Sequence, residues 1–277
     1  MTEKAQAELL EDVLSRYEGS PNPRAREICE AAIRHLHAFV AEVNLTRDEW
    51  FYGIQFLTRA GQMCDDTRQE FILLSDTFGI STLVEMMAYD AAEGSTENTV
   101  LGPFYVPNSP HRARGESMLV EPDDGDRVVI RGRITNEDGE PLAGATLDCW
   151  QNASHGFYAV QQPGIQDPEN LRGVYTTDAD GTYEIRTIRP VPYPIPSDGP
   201  AGDMLKANNR KWMRPGHTHV WVRADGYKEL ITHVFDVESE FLREDPVFGV
   251  RDSLIRSFEK DADGELATTF DVVLERA

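Results

Sequence analysis

The chain changes its hydrophobic pattern near residue 95, and this change limits the folds that it can adopt. Before that point, apolar residues recur at helical spacing, and Ile28, Ile33, Leu36, Phe39, Val40 and Val43 fall on one helical face. After it, short runs rich in β-branched residues alternate with Gly-, Asp- and Asn-containing turns. We therefore predict a mainly β protein, with an antiparallel β-sandwich domain over residues 98–277 after an α-helical domain over residues 1–97.

Capping residues predict the ends of several N-terminal helices. Thr46 and Glu49 have the spacing of a capping box ahead of an apolar run, and Thr67 and Glu70 repeat it. Gly79 is placed to end the helix that follows Glu70. Another helix is predicted from about Ser81 to Ala92, with Gly94 ending it.

Strands in the second half are predicted from short runs between turn signals. They cover Val128–Ile134, Ala145–Trp150, Tyr183–Arg186, Thr218–Val222, Leu230–Phe235 and Thr268–Leu274. A loop with five prolines spans residues 190–200. Because long loops in compact domains often carry function, this loop is a candidate part of the site.

Charge and cysteine content exclude several classes of protein. The 277 residues include 27 Lys and Arg against 48 Asp and Glu, for a net charge of −21, which disfavours binding to nucleic acid or anionic membranes. The acidic N-terminus does not resemble a signal peptide, and no apolar run approaches a membrane span, so we expect a cytoplasmic protein without membrane insertion. Three dispersed cysteines, Cys29, Cys64 and Cys149, make a disulfide framework or a cysteine zinc site improbable.

The sharpest local feature is His217-Thr218-His219 at the start of a predicted strand. Side chains alternate along a strand, so both imidazoles point to one face and could bind one metal ion. Two ordinary packed histidines explain the pattern equally well. No HExxH motif is present, and no carboxylate stands at the spacing of a facial triad, so further ligands would come from elsewhere.

Two tyrosines are candidates for those further ligands. Tyr158 follows Gly156 just past a strand, and Tyr193 lies in the proline-rich loop, whose restricted backbone could hold its side chain inward. A phenolate is an anionic oxygen donor that suits ferric iron. Taken singly, however, each tyrosine is better explained as an amphipathic packing residue, and spacing does not decide between the two interpretations.

Four separated sequence blocks together resemble the intradiol ring-cleaving dioxygenases, the catechol 1,2-dioxygenase superfamily. The blocks are Gly102-Pro103-Phe104-Tyr105, Gly156-Phe157-Tyr158, Arg186 to Pro190 followed by Tyr193, and Arg214 to His219. Their order and approximate spacing agree with the family, and the resemblance runs from about residue 25 to the C-terminus. One departure is Gly216, where relatives commonly have Ala; a small residue is expected to fit there.

The resemblance implies a cofactor, an assembly and a set of catalytic residues. It implies iron(III) bound by Tyr158, Tyr193, His217 and His219, in a β-sandwich domain whose N-terminal helical domain forms a homodimer, in some relatives with a bound phospholipid. It also implies that Arg214 stabilises anionic charge on the substrate and that Tyr193 accepts a substrate proton. His233 would assist the hydrolysis step or orient Arg214.

Several residues resemble the branch of the family that cleaves hydroxyquinol, benzene-1,2,4-triol, with O₂ to 3-hydroxy-cis,cis-muconate and then maleylacetate. Asp76 is the most informative, because its carboxylate could accept a hydrogen bond from the third hydroxyl, although it could also be a solvated or helix-capping residue. The predicted pocket residues are Leu73, Asp76, Val100, Pro103, Phe104, Ile195, Pro196 and Val247.

Three alternatives remain open from the sequence. The first is a catechol or chlorocatechol 1,2-dioxygenase with the same iron chemistry. The second is a non-catalytic β-sandwich binding module, since the run from Asp138 to Ala145 is common in such modules. The third, a structural zinc site at His217 and His219, lacks cysteine or carboxylate partners.

Overall fold

The computed structural model describes residues 2–65, 68–89, 92 and 94–277. The chain divides into two compact units, one ending at Thr58 and the other running from Arg59 to Ala277. The domain boundary expected at residues 97 and 98 stays a prediction. The predicted capping residue Thr67 lies outside the described residues.

Three capped helices account for the first unit: α1 (Glu3–Ser15), α2 (Pro23–Glu42) and α3 (Arg47–Gln62), whose last residues belong to the second unit. The predicted capping box of α3 is confirmed, because the Glu49 carboxylate accepts from the Thr46 backbone N–H at 2.9 Å and the Thr46 hydroxyl accepts from the Glu49 N–H at 3.3 Å. The apolar face of α2 is exposed: Leu36 keeps 62% of its surface and Phe39 keeps 50%.

Three shorter helices belong to the second unit: α4 (Glu70–Thr77), α5 (Ile80–Ala88) and α6 (Pro200–Ala207). Gly79 separates α4 from α5 with a φ of 74°, as predicted for a helix-ending glycine. The prediction that the next helix extends to Ala92 is wrong, because α5 ends at Ala88 and Tyr89 already has a non-helical backbone. Within the described residues, no single helix is long and apolar enough to cross a membrane; α4 and α5 pass that test only as a pair bent by 79°.

Twelve strands lie within the described residues, and six of them are longer than four residues. They are β1 (Arg127–Asn136), β2 (Thr146–Trp150), β3 (Arg172–Thr176), β4 (Thr182–Ile188), β5 (Tyr193–Pro194), β6 (Met213–Arg214), β7 (His217–Arg223), β8 (Leu230–Asp236), β9 (Ile255–Arg256), β10 (Glu259–Lys260), β11 (Leu266–Thr269) and β12 (Val272–Leu274). The single strand predicted at residues 268–274 is two strands, because the Asp271 side chain takes the place of a backbone acceptor for Arg133 N–H at 2.9 Å.

Two five-stranded sheets form the predicted sandwich. One has the order β10-β11-β1-β12 with β4 also paired to β1, and the other has the order β3-β2-β7-β8-β9. The sheets are mixed and not purely antiparallel, since β1 pairs with β11 and β12 in parallel and β8 pairs with β9 in parallel. The core cluster draws Ile130 and Ile185 from the first sheet and Leu147, Val220 and Val222 from the second.

Strand β7 separates the core from the candidate site. Its even-numbered residues Val220 and Val222 belong to the core cluster, so its odd-numbered residues point to the other face of the sheet. His217 and His219 are on that face, and the antiparallel register with β8 places His233 directly opposite His219. The sequence alternation that builds the core therefore also places three histidines together.

Candidate metal centre

The two histidines of β7 present their Nε2 atoms to each other. These nitrogens are 3.1 Å apart, and both side chains are 1% exposed. Two imidazole nitrogens that each bind one metal at about 2.1 Å are separated by a similar distance in tetrahedral geometry. The arrangement is therefore suited to a shared metal ion.

Tyr158 reaches this pair from a tight turn. Gly156 has a φ of 87°, and its N–H donates to the Ala153 carbonyl at 2.8 Å, which brings the chain back toward the sheet. The Tyr158 hydroxyl then lies 3.2 Å from Nε2 of His219, with the ring 3% exposed. A phenol oxygen thus joins the two imidazoles.

Tyr193 is held by the two-stranded sheet of β5 and β6, in which it pairs with Arg214. Arg214 Nη1 donates to the Tyr193 hydroxyl at 3.2 Å and lies 3.2 Å from Nε2 of His217. The ring centroids of Tyr158 and Tyr193 are 5.2 Å apart with nearly perpendicular planes. The structure therefore brings together all four residues that the family resemblance suggests as ligands.

Hydrogen bonds at the far ring nitrogens indicate which tautomers can bind a metal. Nδ1 of His217 lies 2.8 Å from the Pro215 carbonyl, which can only accept, so Nδ1 carries the proton and Nε2 keeps its lone pair. Nδ1 of His219 lies 2.7 Å from Nε2 of His233. In this chain, both Nε2 atoms can act as ligands at the same time.

Burial sets the charge of the donors. It lowers the pKa of His217, His219 and His233 well below the ordinary value, with Arg214 adding to the effect, so the imidazoles are neutral. Burial also raises the pKa of Tyr158 well above its ordinary value, and Tyr193 adds to that effect. A phenolate at this position therefore needs compensating positive charge, and the nearby Arg214 lowers the pKa of Tyr158 in that direction.

Arg214 is fixed by a buried ion pair with Asp245. Its Nε donates to one Asp245 oxygen at 3.1 Å and its Nη2 approaches the other at 3.4 Å, with both side chains 2% exposed. The same carboxylate accepts from the Gly249 N–H at 2.9 Å. This two-point contact directs the remaining Nη1 toward the tyrosine and the histidine.

The first sequence block contacts the donors directly. Gly102 has a φ of 75°, and a Cβ on it would lie 3.3 Å from the His219 ring, so only glycine fits without adjustment. Phe104 stacks on Tyr158 with centroids 4.7 Å apart. Trp150 stacks on the other side of the centre, against His219, at 4.6 Å and an interplanar angle of 10°.

Among the other predicted pocket residues, three lie near the ion pair. Asp76 on α4 is 6% exposed and interacts electrostatically with Arg214 and Asp245. A Cβ on Gly249 would touch Val100, and the Val247 N–H is 3.4 Å from the Asp245 carboxylate. The roles of the remaining residues stay predictions; Leu73 and Ile195 are buried, Pro196 is half-buried and Pro103 is exposed.

Gly216 is more constrained than the sequence suggests. A Cβ at this position would lie 2.4 Å from the Pro190 carbonyl oxygen, and backbone atoms cannot move aside as a flexible side chain can. The expectation that any small residue fits here is wrong for this backbone.

Three residues of the centre were absent from the predicted site. Asp245 stands two residues before the predicted pocket residue Val247, which was a usable signal. Trp150 ends a predicted strand. Because side chains alternate along a strand, the core residues Leu147 and Cys149 imply that Trp150 points to the opposite face, where the β7 histidines lie. Thr99, which lies 2.8 Å from Nδ1 of His233, carries no sequence signal, because only the fold brings it to the histidines.

Comparisons with known proteins identify two matching family models and several similar enzymes. The family model described as dioxygenase matches residues 100–276, and the model described as catechol dioxygenase N terminus matches residues 22–96. The chain is 44% identical to the 6-chlorohydroxyquinol 1,2-dioxygenase of Cupriavidus pinatubonensis over 99% of both chains. It is 43% identical to the hydroxyquinol 1,2-dioxygenase of a Rhizobium species, over 93% of this chain and 87% of that protein.

A solved structure is similar over the whole length. The hydroxyquinol 1,2-dioxygenase of Pseudomonas putida superposes with a TM-score of 0.95 at 42% identity, covering 100% of both chains. These matches contradict the alternative of a non-catalytic binding module, and with the buried histidine cluster they imply a metal cofactor. The chain therefore belongs to the intradiol ring-cleavage dioxygenase family and is an enzyme of that family.

Proposed function

We propose that this enzyme uses iron(III) and O₂ to cleave hydroxyquinol between its two ortho hydroxyls, giving 3-hydroxy-cis,cis-muconate, which tautomerises to maleylacetate. The main support is the buried convergence of Tyr158, Tyr193, His217 and His219 beside Arg214. The relatives from Cupriavidus and Rhizobium are named as dioxygenases of 6-chlorohydroxyquinol and hydroxyquinol, which supports the choice of a hydroxyquinol.

The donor set favours ferric iron over zinc. Two phenol oxygens and two imidazole nitrogens combine anionic oxygen donors with neutral nitrogen donors, and no cysteine stands among them. When bound by Tyr158, Tyr193, His217 and His219, iron(III) acts as a Lewis acid that lowers the pKa of the substrate hydroxyls and makes the ring carbon reactive toward O₂. Metal analysis of the purified protein distinguishes iron from zinc.

Arg214 and Tyr193 are proposed to handle charge and protons. The Tyr193 oxygen already accepts a hydrogen bond from Arg214 Nη1, so as a phenolate it can receive a proton from a substrate hydroxyl next to a stabilising cation. Arg214 cannot lose its own proton and is fixed by Asp245, so it stabilises negative charge that develops on the ring without reorganising.

Asp76 is proposed to select the triol. Its carboxylate interacts electrostatically with Arg214, and it can accept a hydrogen bond from the third hydroxyl of hydroxyquinol. Catechol lacks that hydroxyl and would leave the buried carboxylate without this hydrogen bond. The remaining pocket wall is proposed to consist of Leu73, Val100, Pro103, Phe104, Ile195, Pro196 and Val247.

The deciding measurement is the visible spectrum of the purified protein, recorded without oxygen before and after addition of substrate. Tyrosinate bound to iron(III) should give a red-brown charge-transfer band that shifts with hydroxyquinol and hardly with catechol. An equal or larger response to catechol would keep the iron site and reject the triol as substrate. A protein that stays colourless after reconstitution with iron would reject the two-tyrosine iron site.

A chlorinated hydroxyquinol is the second candidate substrate, because the relative from Cupriavidus is named for 6-chlorohydroxyquinol. Catechol and chlorocatechols remain the alternatives from the sequence. Values of kcat/KM for these substrates, measured side by side, rank them. The proposed function predicts that hydroxyquinol or its chlorinated form exceeds catechol by at least about tenfold, because a hydrogen bond to a charged group contributes about 1.5–3 kcal/mol.

The helical unit is proposed to form a homodimer and to bind a phospholipid. The exposed apolar residues Leu36 and Phe39 of α2, with Val43 directly after the helix, form a surface that a second copy can cover. A groove of about 570 Å³ between α1 and α2 is lined by Leu9, Leu10 and Val40, with Arg34 and His37 available for a phosphate. Native mass spectrometry tests both proposals: a monomer would reject the dimer, and the absence of lipid mass would reject the lipid.

The cytoplasmic location and the absence of nucleic-acid partners stay predictions from composition. They are consistent with the net charge of −21. Cell fractionation of the native host tests the location directly.

A further inference from the structure

We propose that His233 is a positioning residue that fixes the tautomer and ring orientation of His219 toward the metal, with Thr99 completing a three-residue chain of hydrogen bonds. The inference rests on the proposed iron site. It gives His233 a role different from the two expected from the sequence, which were to assist hydrolysis or to orient Arg214.

The backbone register places the two rings together. His219 on β7 pairs with His233 on β8, so their side chains are cross-strand neighbours on one face. Their ring centroids are 4.2 Å apart, with planes at 86°, and Nε2 of His233 lies 2.7 Å from Nδ1 of His219. This geometry directs a ring nitrogen of His233 at the one nitrogen of His219 that faces away from Tyr158 and His217.

Thr99 contacts the second ring nitrogen of His233. Its Oγ1 lies 2.8 Å from Nδ1 of His233, and its own backbone N–H donates to the Ile231 carbonyl at 2.8 Å. The Thr232 hydroxyl also donates to the Glu97 carbonyl, which ties the same segment to β8. Both ring nitrogens of the fully buried His233 therefore have partners fixed by the sheet.

The direction of each hydrogen bond follows from the metal-binding tautomer. If Nε2 of His219 offers its lone pair to a metal, the ring proton must be on Nδ1, and it is donated to Nε2 of His233. His233 then carries its proton on Nδ1 and donates it to the hydroxyl oxygen of Thr99. The hydrogen bonds that link Thr99, His233 and His219 thus disfavour the His219 tautomer with its proton on Nε2, which cannot bind a metal through that atom.

The second histidine ligand is held in a different way. Nδ1 of His217 donates to the Pro215 backbone carbonyl, which no side-chain substitution removes. Of the two Nδ1 atoms, that of His219 has a replaceable side chain as its partner. Outer partners of metal-ligating histidines typically change metal affinity by 10- to 100-fold when they are removed.

The test compares His233→Leu with His233→Gln. Leucine removes both hydrogen bonds at similar volume, whereas the glutamine amide can accept from His219 with its oxygen and donate to Thr99 with its nitrogen. We expect the Leu variant to lose iron to a ferric chelator about 10- to 100-fold faster than wild type. The Gln variant should stay within about threefold of wild type and keep the wild-type tyrosinate band.

Iron loss, the visible band and thermal unfolding of the metal-free proteins are measured together, so that a folding defect is separated from weaker iron binding. Iron retention by the Leu variant equal to wild type would overturn the inference, as would a Gln variant that loses iron as fast as the Leu variant. If the Leu variant does not fold, Thr99→Val decides, with faster iron loss than wild type expected and unchanged loss contradicting the role. A wild-type protein that binds no iron would reject the proposed function itself.

Discussion

Asp76 shows how one buried carboxylate can link substrate choice to pH. Burial raises the pKa of Asp76 above its ordinary value, Asp245 contributes in the same direction, and Ser81 and Arg214 partly oppose the shift. The group is therefore charged only above this raised pKa. A carboxylate accepts hydrogen bonds at both oxygens, whereas the protonated acid also presents a donor.

We predict that the preference for hydroxyquinol over catechol increases as the pH rises through the raised pKa of Asp76. At a pH below this pKa, the protonated Asp76 side chain binds the third hydroxyl less strongly than the carboxylate does. Asp76→Asn should lower kcat/KM for hydroxyquinol by about 5- to 10-fold more than for catechol, because it replaces a charged hydrogen bond with a neutral one, a difference of about 1–1.5 kcal/mol. Its preference should also be independent of pH. Profiles of kcat/KM against pH for both substrates check this, and equal losses on both substrates would remove Asp76 from substrate selection.

Asp245 is predicted to matter for both stability and catalysis. Asp245→Asn leaves the Arg214 charge buried without its counterion, so the free energy of unfolding should fall by about 3–5 kcal/mol and kcat should fall with it. The matched control is Asp252→Asn, which breaks the exposed ion pair with Arg243, where both side chains are 76% exposed. Denaturant unfolding should detect little change in the control. A small and equal effect in both variants would contradict the role given to the buried pair.

At the level of single residues, sequence reasoning worked where local geometry decides the outcome. His217 and His219 share a face because strands alternate, and that follows from a spacing of two. Tyr158 and Tyr193 are 35 positions apart, and only the packing of two loops brings their rings within 5.2 Å. The family resemblance supplied what spacing did not, and neither supplied the contact between Thr99 and His233.

Among the elements, β1 makes the most unusual contacts. The first half of β1 pairs in parallel with β11, and the second half pairs in parallel with β12. Phe270 lies between β11 and β12, and its backbone comes close to the middle of β1. Phe270 N–H donates to the Arg131 carbonyl at 2.8 Å. A Cβ on Gly132 would lie 2.0 Å from the Phe270 carbonyl oxygen, so this position tolerates no side chain on the present backbone.

We predict that Gly132→Ala destabilises the second unit by at least about 1–3 kcal/mol, because the backbone of Phe270 must move. Gly53→Ala in α3 is the control, since a Cβ there meets nothing within 4 Å and alanine favours helix. Thermal and denaturant unfolding of both variants give the comparison. A Gly132→Ala protein as stable as wild type would show that the crossing can relax without cost.

The elements themselves were predictable to different degrees. Long strands with clear alternation, such as β1, β7 and β8, appeared at nearly the predicted positions. Two-residue strands such as β5 and β6 have no periodicity to detect, although β5 carries Tyr193. The parallel pairings were also missed, because nothing in one strand's sequence states the direction of its partner.

For the whole molecule, a bound metal should act as a cross-link. It would join the turn of Tyr158, the proline-rich loop of Tyr193 and strand β7, which are separate segments of the chain. We predict that removing the metal lowers the thermal midpoint and exposes residues 189–197 to proteolysis, since a ligand that binds only the folded state stabilises it by mass action. Calorimetry and limited proteolysis before and after chelation measure both effects, with iron readdition as the control. Unchanged curves would mean that these segments are fixed without the metal.

The double pairing of β1 also constrains the order in which the molecule can be assembled. Arg133 bonds to Asp271 across 138 residues of sequence, so the sheet that contains β1 remains open at that edge until the chain has been synthesised almost to that point. Such distant pairing is slow, because a long loop must close before its contacts stabilise it. During synthesis on a ribosome, β1 could pair with β4 on one edge, but its other edge would stay exposed to other chains until β11 and β12 are made. The four charged or amide-bearing residues of β1, with the adjoining Asp126, would then limit aggregation in the cell before the enzyme is complete; the four are Arg127, Arg131, Arg133 and Asn136.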